Sequence, residues 1–190
     1  MLAEKSGVGG EFVRQCRTES PGSGPVRPDR KVLVTEPPSE MPTKFSFFHL
    51  MPWTQLTEAP PPWPVGNAGF DPARGKELYD TYIDTMAFAE ECGFDWVGCN
   101  EHHFSPYGLM ANPNLIGAVL AQRTKSIGIA ILGNLIPLLN PIRVAEEYAM
   151  LDVLSGGRLI AGMIRGVPHE YIAYNIVPDE SRGRLREAAA

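Results

Sequence analysis

IGIAILGNLIPLLNPIRVAEEYAMLDVLSGGRLIAGMIRG, residues 127–166, decides the fold. Its first part, Ile127–Ile136, is a continuous apolar run of strand length. Asn140-Pro141 then opens a helix: the Asn side chain can accept from an orphan N–H, and proline at the first helical position gives up a donor that had no partner. Ile142, Ala145, Ala149 and Val153 recur at helical spacing and predict the buried stripe, with Gly156-Gly157 as stop signals. A second apolar run follows at Leu159–Ile164. The stretch therefore reads as strand, helix, strand, close to the ~30 residues of one βαβ unit. Its strands are continuous rather than alternating, which predicts cover on both faces.

The same grammar extends upstream. Strand-like runs stand at Phe45–Met51 and Trp96–Asn100, and Asp71-Pro72 and Asn112-Pro113 repeat the cap-proline device. The first helix stacks Leu78, Tyr82, Met86 and Ala89 and ends at Gly93, its regular part expected to begin a few residues beyond Pro72. A fourth helix is predicted from near Asp179 to Ala190. Four alternating βα units imply an α/β fold with a parallel sheet. They leave open whether the sheet is open or part of a barrel; in both, chemistry belongs at the carboxyl ends of the strands.

The chain has 190 residues, with 19 Gly and 18 Pro, a surplus over the usual level of roughly 12%. Much of it lies in residues 1–43, which are polar, lack sustained periodicity and read as a disordered N-terminal extension. Met41, directly before the first strand, is the expected natural start. A net charge of −5 gives no basic footprint for nucleic acid. The N-terminus lacks the apolar core of a secretory signal. The longest apolar stretch, Ile127–Leu139, falls short of the ~20 residues of a membrane helix. Cys16, Cys92 and Cys99 suggest neither a disulfide framework nor zinc spacing, so a cytoplasmic setting is expected.

Candidate chemistry gathers at strand ends. Asn100-Glu101-His102-His103-Phe104 follows the second strand, and in extended chain Glu101 and His103 face one way and His102 the other. A histidine there can exchange protons at neutral pH, or both can simply bond loop backbone. A metal-dependent hydrolase is a rival reading, with His49 and His169 as further ligands, although adjacent histidines diverge. Leu132-Gly133 in the third strand allows close approach to a flat ligand, or marks a bulge. Arg165, after the fourth strand, suits a phosphate, a carboxylate or a surface ion pair. Cys99 reads as a small buried strand residue, and Trp53 and Trp63 flank a Pro-rich loop that either covers a ligand or packs down.

From about Lys44 onward the sequence resembles the N-terminal half of bacterial-luciferase-like flavin monooxygenases. The resemblance rests on Glu101-His102-His103-Phe104, Tyr107-Gly108-Leu109, Asn112-Pro113, Asn140–Glu147, Leu151–Arg158, Arg165-Gly166 and Ser181-Arg182, in that order. It implies a TIM (β/α)8-barrel, of which this chain holds about the first four βα units. It implies reduced FMN from a separate reductase, O2 and a small organic substrate, with a deazaflavin in some relatives and a homodimer through first-half helices in many. His102 matches the family's catalytic histidine, which supports the flavin–oxygen intermediate and proton transfer, with Glu101 and His103 orienting the site. Leu132-Gly133 matches the segment beside the flavin ring, sometimes with a non-proline cis bond, and Arg165 matches an arginine that contacts flavin. Ile164 stands where luciferase proper has a reactive cysteine, a departure that argues against light emission. A truncated, non-catalytic flavin-binding remnant is the alternative reading of the short chain.

Overall fold

The computed structural model describes residues 43–55, 69–105 and 108–190, all within one unit, Pro42–Ala190. The expected N-terminal extension, the proposed start at Met41, Trp63 and Tyr107 lie outside the described residues. The elements run β1 (Ser46–Phe48), α1 (Pro72–Glu91), β2 (Trp96–Cys99), α2 (Pro113–Arg123), β3 (Gly128–Leu135), α3 (Pro141–Ser155), β4 (Leu159–Ile164), α4 (Pro168–Ala173) and α5 (Ser181–Ala188). The four strands are parallel and pair in chain order, β1-β2-β3-β4.

That order selects between the two architectures left open above. A doubly wound open sheet reverses its strand order at a switch point. Here each strand lies beside its predecessor, and the helices pack on one face. Val97 and Cys99 of β2 and Ile129 and Ile131 of β3 share a core with Met86 of α1, Ile116 and Leu120 of α2, and Val144 and Leu151 of α3. The opposite face carries Phe48, Gly98 and Leu132 side by side, and Phe48 and Leu132 are 48% and 43% exposed. The arrangement is that of consecutive units in a (β/α)8-barrel wall, with its barrel-side face open. The expected cover on both faces is therefore corrected: among the described residues helices cover one face only.

The cap-proline device works at all three helices. Asp71 accepts from Ala73 N–H (2.9 Å), Asn112 from Asn114 N–H (3.0 Å), and Asn140 from Ile142 N–H (3.0 Å). Pro72 is the first residue of α1, so that helix starts at its proline and not beyond it. α3 ends at Gly156 in the left-handed conformation (φ 71°), where glycine carries no Cβ penalty.

Two other expectations change. The stripe on α3 is Val144, Tyr148, Leu151 and Ser155, whereas Ile142 and Val153 are 71% and 81% exposed. The helix is apolar on several sides, so spacing alone could not choose. Polar anchoring decides: the Tyr148 hydroxyl donates to Gly162 O, and Ser155 Oγ accepts from Arg158 N–H (3.2 Å). The first strand is shorter than Phe45–Met51. The chain leaves the sheet after Phe48, and His49 Nδ1 accepts from Met51 N–H (2.9 Å), with Met51 in the left-handed region. The single helix expected near Asp179 is preceded by α4, which the sequence reading missed.

Candidate active site

β2 ends at Cys99, and the next residues leave the sheet at its carboxyl end. Strand alternation sends the neighbouring side chains to opposite sides. Glu101 and His103 are buried together, with Glu101 Oε1 2.7 Å from His103 Nε2. The other carboxylate oxygen, Oε2, accepts from Leu135 N–H (3.0 Å), tying the pair to β3. His103 Nδ1 lies 3.1 Å from the Tyr174 hydroxyl, and the two rings meet edge-on at 5.0 Å. Burial pushes the Tyr174 phenol up, and the Glu101 and Glu170 charges add to this, so the hydroxyl stays protonated. The Glu101–His103 pair lines a cavity of about 230 Å³ bounded by Asn134, Asn140, Arg143 and Tyr174.

His102 belongs to a different environment. Its ring is 28% exposed, and Nδ1 lies 3.5 Å from Glu170 Oε1. Glu170, on α4, is 1% exposed and is missing from the sequence reading. Its Oε1 also accepts from His103 N–H (3.3 Å) and its Oε2 from Val167 N–H (3.0 Å). Burial pushes this carboxyl up. The bond with His102 and the N–H groups of Val167 and His103 outweigh it, and the net direction is down, toward a carboxylate. A sequence signal did exist: Val167-Pro168 with Glu170 at the third helical position is a helix-start pattern.

Beside this cluster β3 and β4 come into backbone contact. The Leu132–Gly133 peptide is cis. A Cβ at Gly133 would stand 2.4 Å from Gly162 O, and one at Gly162 would stand 2.2 Å from Ile131 O. The pairing register shifts between Ile131 and Asn134 at this point. Only glycine permits that approach. On the open face a Cβ at Gly98 would meet Phe48 Cδ2 at 2.9 Å and Leu132 Cδ1 at 3.1 Å. Phe48 and Leu132 thus close over the buried Gly98 and present an apolar surface on the open face. Arg165 is exposed just past β4 and makes no salt bridge among the described residues; its carbonyl accepts from the Tyr171 hydroxyl (2.5 Å).

Other candidates fall outside the cluster. His49 packs against Tyr82 (ring centroids 4.6 Å), and burial lowers its pKa, which favours the neutral ring. Among the described residues no group of three or more His, Cys, Asp or Glu side chains is placed to hold a metal ion. Burial pushes the Cys99 thiol up to about 12, which suits an inert core residue. Asn100 is buried, and neither polar atom of its side chain has a hydrogen-bond partner among the described residues. No helix among the described residues is long and apolar enough to cross a membrane.

Comparison with known proteins gives these features a context. The alkanal monooxygenase alpha chain of Photorhabdus luminescens is 40% identical over 91 residues, covering 48% of this chain and 25% of that one. The oxygenase component of the flavin-dependent trigonelline monooxygenase of Acinetobacter baylyi is 36% identical over 91 residues, again covering 48% and 25%. Among solved structures, monooxygenase RslO1 from Streptomyces bottropensis superposes with a TM-score of 0.63 at 30% identity, covering 77% of this chain and 41% of that one. The chain thus spans about a quarter of the length of these two relatives. The family described as luciferase-like monooxygenase matches residues 56–190, well over half of the chain. Its sequential parallel sheet and matched sequence together place the chain in the luciferase-like monooxygenases, a family of flavin-dependent enzymes.

Proposed function

We propose that the protein to which this chain contributes uses reduced FMN and O2 to oxygenate a small organic substrate, with His102 handling the proton. The observation that carries this reading is the position of His102: a partly exposed imidazole at the carboxyl end of β2, backed by a buried carboxylate. The flavin fits the residues present. The exposed Phe48 and Leu132 side chains meet over Gly98 and offer an apolar surface to a flat ring, and beside it β3 and β4 run backbone against backbone at Gly133 and Gly162, with no side chain between them. Arg165 supplies a cation for a phosphate or a ring carbonyl. Reduced FMN, when bound, supplies the two electrons for oxygen activation.

The chain's own residues do the rest. Phe48 and Leu132 exclude water from one face of the bound ring. His102 gives a proton to developing negative charge and takes it back, work suited to an imidazole near neutral pH. Glu101 and His103 orient the strand end through Leu135 and Tyr174. A deazaflavin is the competing cofactor, and the trigonelline monooxygenase component named as flavin-dependent supports a flavin. A separate reductase, a cytoplasmic setting and a homodimer complete the reading. Exposed Leu115, Ile142 and Val153 on α2 and α3 support a contact between copies.

The test is anaerobic titration of the chain with reduced FMN, then mixing with O2 and an organic substrate. Binding followed by product formation that falls at least tenfold in His102→Ala is the expected result. Unchanged turnover in that variant removes His102 from the reaction. Tight flavin binding without oxygen consumption supports the alternative of a binding-only module.

A further inference from the structure

Two histidines adjacent in sequence each meet a buried carboxylate, but not the same one. Glu101 holds His103, and the pair lines the cavity shared with Asn134, Arg143 and Tyr174. His102 is met by Glu170, which arrives from α4, 68 positions along the chain. Glu170 is almost completely buried, and its oxygens accept from two backbone N–H groups, those of His103 and Val167, with the His102 Nδ1 atom 3.5 Å away. A carboxylate in such surroundings accepts from whatever faces it, because it has no proton to give.

We propose that Glu170 is a positioning residue for His102, holding its ring as the Nδ1–H tautomer and thereby assigning proton exchange with the ligand to Nε2. This rests on the reading of His102 as the proton-handling group. The geometry carries it in two ways. The nitrogen nearest the carboxylate is Nδ1, 3.5 Å from Oε1, so a proton placed there faces the carboxylate and a neutral ring then presents Nε2 as its basic atom. The same Oε1 atom accepts from His103 N–H, so one oxygen fixes both the ring and the peptide that follows it. Val167 N–H at Oε2 fixes the carboxylate against the start of α4. A His whose second nitrogen is held by a carboxylate keeps its tautomer and ring orientation, as carboxylate–histidine pairs do elsewhere.

The test reads the tautomer directly. The 190-residue chain is labelled with 15N-histidine and recorded at alkaline pH, where imidazoles are neutral. His102 is expected to show a protonated Nδ1 and a bare Nε2. In Glu170→Gln one carboxylate oxygen becomes an NH2 group, and the Nδ1–H population is expected to fall by at least half, while the His103 pattern, set by Glu101, stays as it was. A parent ring protonated on Nε2, or an unchanged His102 pattern in a folded Glu170→Gln chain, overturns the proposal. If that variant does not fold, His102→Gln replaces it: with 13C-labelled glutamate, the Glu170 carboxyl should titrate higher once His102 is gone, and an unmoved titration overturns the proposal. A chain with the expected tautomer but no flavin chemistry would refute the proposed function and leave the Glu170–His102 pairing standing.

Discussion

Replacing Arg158 with Met should cost more than any other single change at the amino-terminal end of the sheet. Arg158 lies just before β4, where its Nε donates to Ser155 O (2.7 Å). Nη1 donates to Thr124 Oγ1 (2.7 Å) and Ile127 O (2.9 Å), and Nη2 to Ala121 O (2.9 Å) and Thr124 O (3.2 Å). Three of these carbonyls, those of Ala121, Thr124 and Ser155, sit at the ends of α2 and α3, where carbonyls lack helical partners and a cation is favoured. Charge-assisted bonds contribute about 1.5–3 kcal/mol each when isolated. They share one half-buried side chain that gives up about 2 kcal/mol of rotamer freedom, and water can reach part of the site. Removing a member of such a network costs about 3–5 kcal/mol. Arg158→Met should therefore lower stability by about 3–4 kcal/mol. For a domain of this size that is a fall in Tm of about 6–16 °C. Arg158→Lys keeps the charge but offers donors from one point instead of a fork, and should recover about half. Urea unfolding followed by far-UV circular dichroism, at unchanged m, measures both. A Met variant within ~1 kcal/mol of the parent, or equal losses for Met and Lys, would refute the reasoning.

Glu90 of α1 accepts from the N–H groups of Lys125 (3.0 Å), Ser126 (2.5 Å) and Ile127 (2.8 Å), and from Ser126 Oγ (2.8 Å). Burial pushes its carboxyl up, but these donors bring it down to about 2, from 4.5. A depressed carboxylate stabilises fully above its unfolded value and loses that contribution as pH falls through the folded one. Glu90→Gln should thus cost about 1–2 kcal/mol at neutral pH. The gap should close between pH 4.5 and 2, and a constant gap across acid unfolding curves would refute the clamp. Asn100→Leu should raise stability by about 1–3 kcal/mol, because it removes two buried polar atoms that have no partner among the described residues. A lower Tm would show that the amide is bonded in solution.

The sequence made the repeating unit legible because its signals are local. Asn112-Pro113 and Asn140-Pro141 start helices wherever they occur, and Gly156 ends one for reasons contained in its own backbone. The alternation that separates His102 from Glu101 and His103 is equally local. What stayed hidden depends on contacts between distant positions. Glu170 reaches His102 across 68 positions, and no spacing rule connects them. The buried side of α3 was set by Tyr148 finding Gly162 O, an acceptor that exists only once β4 has formed. β1 ended early because His49 turned back onto its own chain. The choice between an open sheet and a barrel wall was also out of reach, since strand order is decided by which helix face each strand meets.

The two ends of the sheet divide the work. At the amino-terminal end, Arg158 and Glu90 join helices to strands through groups that do nothing but accept and donate. At the carboxyl end the same kinds of groups stand in pairs, with one member of a pair left partly exposed. The Asn100 side chain is buried there with no hydrogen-bond partner among the described residues. Glycines at 133 and 162 hold backbone against backbone, an approach that any side chain would break, at the entropic cost of glycine in a strand. Each of these features costs stability, and they fall within a few residues of one another. Selection for packing alone does not call for them, whereas it accounts for the helix-facing side with Ile129, Ile131 and Leu120. A cluster of locally unfavourable choices on one end of a well-packed wall is therefore the strongest physical sign of where this chain meets its ligand.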